Sequence, residues 1–272
     1  MSRLRWIFLG MVAPSVLACS SAPEGARPLF SPREVVDLGA VVTEDLPQRV
    51  WGKALLDQFA PMGFDRQNTF DIVEWEMDIE GNLVSGSNAY YELFNHGGPH
   101  IDAPNHISQG GGLDSYPVEV FSGPVKVFDT RDFGGGHAIP EDVFRGSVNP
   151  GDVVLAFTGY VLPETDDAIS EISALTPAAA EYLAGLPVRA FGTDALSVDP
   201  FGAVPVEGGS ATARAVPVHH AFLSRAIPVY EELFNMDQLI NRPNSDAMYF
   251  VGVPLSIKDG DGMLVRPVVF VY

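Results

Sequence analysis

The 272 residues contain one cysteine, Cys19. That excludes an internal disulfide framework, a CxxC redox pair and a thiolate zinc site. Basic residues are scarce too: 16 Lys and Arg stand against 35 Asp and Glu, for a formal charge of −19. A chain this acidic lacks the basic face that displaces counterions from nucleic acid, and it is repelled by anionic lipid. Beyond Cys19 no run is apolar enough to span a bilayer, and no repeat of fixed period occurs. A GxSxG elbow, a GxxxxGK(S/T) loop and a GxGxxG fingerprint are all missing. What remains is ordinary globular usage, 46% hydrophobic and 19% charged, so the chain is not disordered. With 22 prolines and 27 glycines it favours turns over long helices.

The N-terminus has its own logic. Arg3 and Arg5 precede an apolar run from Trp6 to Leu17, too short for a comfortable membrane span and proportioned like a signal peptide. The run ends at Val16-Leu17-Ala18-Cys19, which resembles a bacterial lipoprotein box. We expect a signal peptide over 1–18 and a lipidated N-terminus with a polar tether over 19–30. The product would be anchored by lipid on the periplasmic side of the cell envelope, or secreted. Residues 31–272 then form a single domain, since no break in composition divides them.

Within that domain strands and helices interleave without strict alternation, which predicts an α/β fold with a mixed β-sheet flanked by helices. Strands are expected at Val35–Leu38, Phe70–Met77, Val125–Asp129 after a Gly123-Pro124 turn, Val153–Phe157 and Val188–Phe191. Thr176-Pro177-Ala178 is a helix start, with a hydroxyl N-cap and proline at the first position, and Gly185 closes that helix. A second short helix starts near Pro217 and leads into a strand over Ile227–Leu233. Paired strands over Tyr249–Leu255 and Leu264–Tyr272 flank a turn at Lys258–Gly262.

Histidine is where the chain becomes specific. Three of the six fall between His96 and His106, where uniform scatter would put roughly a quarter of one. Two glycines and a proline between His96 and His100 argue against a helix. In an extended chain positions 96, 100, 102 and 106 share parity and face one side. Three imidazoles and the Asp102 carboxylate converging there suit a nitrogen/oxygen metal site. A second group follows at His219 and His220, which composition does not separate, and at Glu231. On the expected strand Glu231 lies on the face of Ile227, Val229 and Leu233, where an ionised carboxylate needs a cation.

The segment His96-Gly97-Gly98-Pro99-His100-Ile101-Asp102-Ala103-Pro104-Asn105-His106 resembles the HxGTHxDxPxH signature of the cyclase family of metal-dependent hydrolases, which includes bacterial kynurenine formamidase and isatin hydrolase. Further stretches are similar in order: Gly151-Asp152-Val153-Val154-Leu155 with Thr158-Gly159-Tyr160, then Gly192-Thr193-Asp194 through Asp199, then Gly260-Asp261-Gly262. Pro99 replaces the signature's threonine. The stretch from Trp51 to His96 is longer than in compact formamidases, as in the isatin-hydrolase-like branch.

The resemblance implies a swivelling β/β/α fold. It implies metal ligation by His96, His100, Asp102, Glu231 and, in an HxxLLxxGIxIxENL-like run, by a histidine twelve residues before Glu231, namely His219. One or two zinc or manganese ions per subunit would be held. Metal-activated water would attack the carbonyl of a small aromatic amide or lactam, as in tryptophan catabolism, with His106 as general acid and base. Trp51, Phe94 and Tyr160 are candidates for packing against the substrate, and a homo-oligomer is implied. The alternative reading is a non-catalytic extracytoplasmic lipoprotein that binds metal or a small ligand.

Overall fold

In a computed structural model the described residues are 31–62, 67–107, 110–161, 172–199, 215–242 and 247–272. The expected signal segment, Cys19 and the tether lie outside them.

The centre of the fold is β6 (Val153–Phe157), a continuous apolar run of the kind that survives only when both sheet faces are covered. Its residues alternate accordingly. Val154 and Ala156 join a core beneath the helices, while Val153 and Leu155 join a second core on the opposite face. On one side β6 pairs in parallel with β5 (Ser122–Asp129). On the other it pairs in parallel with β7 (Ala190–Thr193), which pairs in parallel with β8 (Val229–Glu231). Antiparallel strands extend both ends, namely β1 (Glu34–Asp37), β4 (His100–Asp102), β9 (Met248–Val251), β10 (Gly262–Leu264) and β11 (Val268–Val271). The nine-stranded order is β1-β11-β9-β5-β6-β7-β8-β4-β10. The sheet is mixed, as expected, and residues 32–272 form one compact unit.

Two helices cover one face. In α3 (Pro177–Gly185) the Thr176 hydroxyl accepts the Ala179 N–H at 3.1 Å, the N-cap bond that the sequence suggested. Its buried residues, Ala179, Ala180, Leu183 and Ala184, are mostly small, which lets it pack closely on α4 (Pro217–Leu223). Two earlier helices, α1 (Leu46–Trp51) and α2 (Lys53–Phe59), are separated by Gly52 at φ 72° and carry Trp51 and Leu55 into a third, smaller core.

Several expected boundaries move. Gly123-Pro124 lies inside β5, at the point where the strand exchanges an antiparallel partner, β9, for a parallel one, β6; a missing N–H is tolerated at such a changeover. β7 begins at Ala190, two residues late. β8 ends at Glu231 because Glu232 takes φ +59°, which breaks the two-residue alternation. The expected C-terminal pair forms between β9 and β11, but β10 leaves it to pair with β4. A long hairpin, β2 (Thr69–Ile79) with β3 (Asn82–Glu92), forms its own two-stranded sheet; only its first strand was legible.

Candidate metal centre

The centre is built on β4, which lies between β8 and β10. Its register sets His100 directly across from Glu231, and Asp102 across from Gly262. Glu231 reaches His100 for that reason: His100 Nε2 is 3.4 Å from Glu231 Oε2. Only positions 100–102 are extended. His96 precedes a turn through Gly97 and Gly98, and His106 follows on a short 3₁₀ turn over Pro104–Ile107. The histidines therefore converge because the chain turns on both sides of β4, and the shared parity of an extended segment is corrected.

Asp102 is the focus. It is 0% exposed, and its oxygens face three imidazole nitrogens: His96 Nδ1 at 3.1 Å, His100 Nε2 at 3.4 Å and His219 Nε2 at 3.5 Å. Among the described residues neither oxygen receives a properly directed hydrogen bond, and His219 Nε2 is likewise unsatisfied. A buried carboxylate in that state costs several kcal/mol unless a cation compensates it. Burial by itself would raise the Asp102 pKa. The surrounding imidazoles of His106, His100 and His219 outweigh burial and hold it well below the carboxylate range. The same balance acts on Glu231, brought to about 2 against burial by His219 and His100. In turn these carboxylates lift His100 and His219 well above 6.5, although burial opposes it. A divalent ion with nitrogen and oxygen ligands fits this donor set.

The geometry of the cluster is fixed from behind. His219 sits in α4 and presents Nδ1 to Asp199 Oδ2 at 2.8 Å; Asp199 also accepts the N–H groups of Val218 and His219 at the start of that helix. His100 Nδ1 lies 2.9 Å from the Gly98 carbonyl, and Glu231 Oε1 accepts the Val198 N–H at 2.6 Å. Such outer contacts set the tautomer and aim of a ligating imidazole. His220, the neighbour of His219, is half-buried on α4 and stands apart from the cluster.

His106 is the most open of the group, with its side chain 24% exposed. Its ring centre is 4.5 Å from that of His96 and 5.6 Å from that of His219. Asp261, in the loop before β10, lies 3.0 Å from His96 Nε2 and 3.5 Å from His106 Nδ1 through one oxygen, Oδ2. Bonds to His106 and His96 hold its carboxyl far below the usual range, against a smaller effect of burial.

A cavity of about 180 Å³ opens over the cluster, floored by the histidines and Glu231 and walled by Trp51, Phe59, Leu196 and Val216. Trp51 is held by its indole N–H, which donates to the His96 carbonyl at 2.8 Å, and packs edge-on against Phe59. Phe94 stands behind Trp51, with ring centres 6.0 Å apart, and does not line this cavity. Tyr160 lines an adjoining cavity of about 300 Å³, on the far side of Leu196. Its backbone is fixed by Asp194, which accepts from the N–H groups of Thr158 and Tyr160 and from the Thr158 hydroxyl.

Three acids that sequence reasoning did not single out belong to the surroundings of this site: Asp199, Asp261 and Glu232. Asp199 and Asp261 each lie in a stretch already matched to a family pattern, and that was their only signal. Glu232 is 2% exposed, and burial pushes its carboxyl well above the normal range.

Residues 36–200 match the family model described as "Putative cyclase". A kynurenine formamidase of Bordetella avium is 31% identical over 177 residues, covering 64% of this chain and 75% of that protein. One of Salinibacter ruber is 29% identical over 178 residues, covering 65% and 76%. Among solved structures, isatin hydrolase A from Labrenzia aggregata bound to benzyl benzoate superposes with a TM-score of 0.60 at 22% identity, covering 87% of this chain and 93% of that one. Isatin hydrolase A from Ralstonia solanacearum gives 0.62 at 24%, covering 87% and 91%. At these identities the two structures establish a common fold.

Proposed function

Because the chain belongs to the cyclase family of metal-dependent hydrolases, we propose that it hydrolyses the carbon–nitrogen bond of a small aryl amide or lactam, of the formylkynurenine or isatin kind. The observation that carries this reading is Asp102: fully buried, without a directed hydrogen bond, among three imidazole nitrogens on the floor of an aromatic-walled cavity. His96, His100, Asp102, His219 and Glu231 would hold zinc or manganese, one or two ions per subunit. Such an ion polarises a carbonyl and brings the pKa of water toward neutrality.

The remaining work falls to the chain itself. Trp51, Phe59, Leu196 and Val216 offer an apolar wall for an aromatic ring and keep bulk water from it. His106, open to the cavity, takes a proton from water and returns it to the leaving nitrogen, a role suited to an imidazole near neutral pH. The test is turnover of N-formylkynurenine and isatin by purified protein, after chelation and after zinc or manganese is restored. His106→Ala should keep its metal while kcat falls on the order of a hundred- to ten-thousand-fold. Metal uptake with no turnover of either substrate would favour the binding-lipoprotein alternative. Loss of metal in His106→Ala as complete as in His100→Ala would make His106 a ligand.

We further propose a homo-oligomer and export with a lipid anchor at Cys19. The first is supported by the β2–β3 hairpin, the second by the charge and hydropathy layout of the first nineteen residues.

A further inference from the structure

We propose that Asp261 is a positioning residue of this centre, its Oδ2 taking a ring N–H from both His96 and His106 and so deciding which nitrogen of His96 faces Asp102 and which of His106 faces the cavity. The proposal rests on the reading of His106 as proton carrier. His96 Nε2 is 3.0 Å from Asp261 Oδ2, a hydrogen-bond distance, and this leaves Nδ1 pointing at Asp102, 3.1 Å away. A ligating imidazole whose other nitrogen donates to a carboxylate has its tautomer and ring plane fixed. For His106 the contact is longer, 3.5 Å from Nδ1. Catalytic hydrogen bonds are often long before substrate binds. With Nδ1–H directed at Asp261, the His106 lone pair is on Nε2, at the opposite edge of the ring, available to the cavity that His106 lines. A carboxylate that holds an imidazole as its Nδ1–H tautomer makes the other nitrogen a base, as in hydrolytic triads.

The surrounding chain is shaped for this task. Asp261 is itself held, because Asn95, the residue before His96, donates to Asp261 Oδ1 at 2.9 Å and to the Gly262 carbonyl at 3.2 Å. The Asp261 carbonyl accepts the Ala103 N–H at 2.8 Å, which ties the loop to the signature segment. Gly262 lets the loop pass the ring: a Cβ there would come within 2.6 Å of His96 Cε1. The Asp261 side chain is 47% exposed, so an ionised carboxylate is cheap to maintain at this position. The same three groups, His96, His106 and Asp261, also have the spacing of a metal site, so the test must separate positioning from ligation.

The experiment is long-range ¹H–¹⁵N NMR of the histidine rings at about pH 8, above the ordinary imidazole range. It is run on the full chain, metal-free and loaded with zinc, alongside elemental analysis and kinetics. In the wild type His106 should be the Nδ1–H tautomer. In Asp261→Asn, whose amide offers an N–H where the carboxylate accepted one, His106 should shift toward Nε2–H. Zinc affinity should fall about ten- to a hundred-fold through His96. At saturating zinc kcat should fall at least about a hundred-fold with KM within about threefold, and Asp261→Glu should restore part of both the tautomer and the rate. Nε2–H at His106 in the wild type overturns the proposal whatever the variants do, including variants that fail to fold. One ion fewer per chain in Asp261→Asn at saturation would make Asp261 a ligand instead. Correct tautomers in a protein that turns over neither amide would leave Asp261 assigned and refute the proposed activity.

Discussion

His219 and His220 are adjacent in sequence and differ in every physical respect that matters to a metal. His219 Nε2 lies within 3.5 Å of Asp102 and 3.3 Å of Glu231, with Asp199 behind it; His220 is half-buried on the helix. His219→Ala should therefore lower zinc content and turnover sharply, while His220→Ala should change either by less than about twofold, as surface substitutions usually do. Equal losses in the two variants would contradict the assignment. The residues of the cluster also set a pH dependence. In metal-free protein His100 and His219 have folded pKa values raised well above 6.5, so their contribution to stability is complete below 6.5 and is lost as pH rises through the raised values. Asp102 and Glu231 are shifted down, so theirs is present above the ordinary carboxylate range and is lost as pH falls, toward about 2 for Glu231. Both statements describe the same ion pairs. Metal-free protein should be most stable between about pH 4.5 and 6.5, and its melting temperature should fall on the alkaline side. Saturating zinc should abolish the alkaline fall, because a bound cation compensates Asp102 and Glu231 whatever the pH of the imidazoles' titration. An alkaline melting temperature that is the same with and without zinc would refute it.

The β2–β3 hairpin is the element whose form calls for a partner. Two strands alone are marginally stable in water, yet each here has eleven residues. Glu80 at φ 53° and Gly81 at φ 84° make the tight two-residue turn that matches strand twist. The pairing register sorts the side chains of the outer half. Val73, Trp75, Met77 and Ile79 share a face with Val84, and Glu74, Glu76 and Asp78 are on the other. The indole of Trp75 lies across Gly86, where a Cβ would come within 2.6 Å of it. Val73, Met77 and Ile79 remain about half exposed on this uncharged face. A second copy of the chain would cover it. Met77→Lys should then lower the oligomeric mass measured by light scattering and leave the monomer folded by circular dichroism. An unchanged mass would place the interface elsewhere.

At the scale of the whole molecule, the proposed export rests on the first nineteen residues. Among the described residues no helix is long and apolar enough to cross a membrane, and a charge of −19 offers anionic lipid nothing to hold. On the lipid anchor proposed above, membrane attachment would depend on Cys19. Cys19→Ser should abolish labelled fatty-acid incorporation in a bacterial host and move the protein to the soluble fraction, with the hydrolytic centre unaffected. A mutant that still partitions with membranes and still carries the label would refute the lipid anchor.

The sequence by itself determined most of the candidate cluster, because three histidines and an aspartate within eleven residues, broken by glycine and proline, read as one local constellation. It also determined the central strand and the capped helix α3, since a doubly apolar run and a Thr-Pro start are local signals. The tertiary structure decided what lies across from what. His100 meets Glu231 because β4 and β8 pair in one register, and a slip of one residue would turn Glu231 to the other face. Asp199 and Asp261 look like ordinary surface acids until α4 and β10 bring them against His219 and His96. The burial of Glu232 followed from a left-handed backbone at the end of β8, which no alternating pattern encodes. Ligands close in sequence are legible because they share one turn of chain. The carboxylates that aim them arrive from distant elements, and only the closed sheet shows which acids those are.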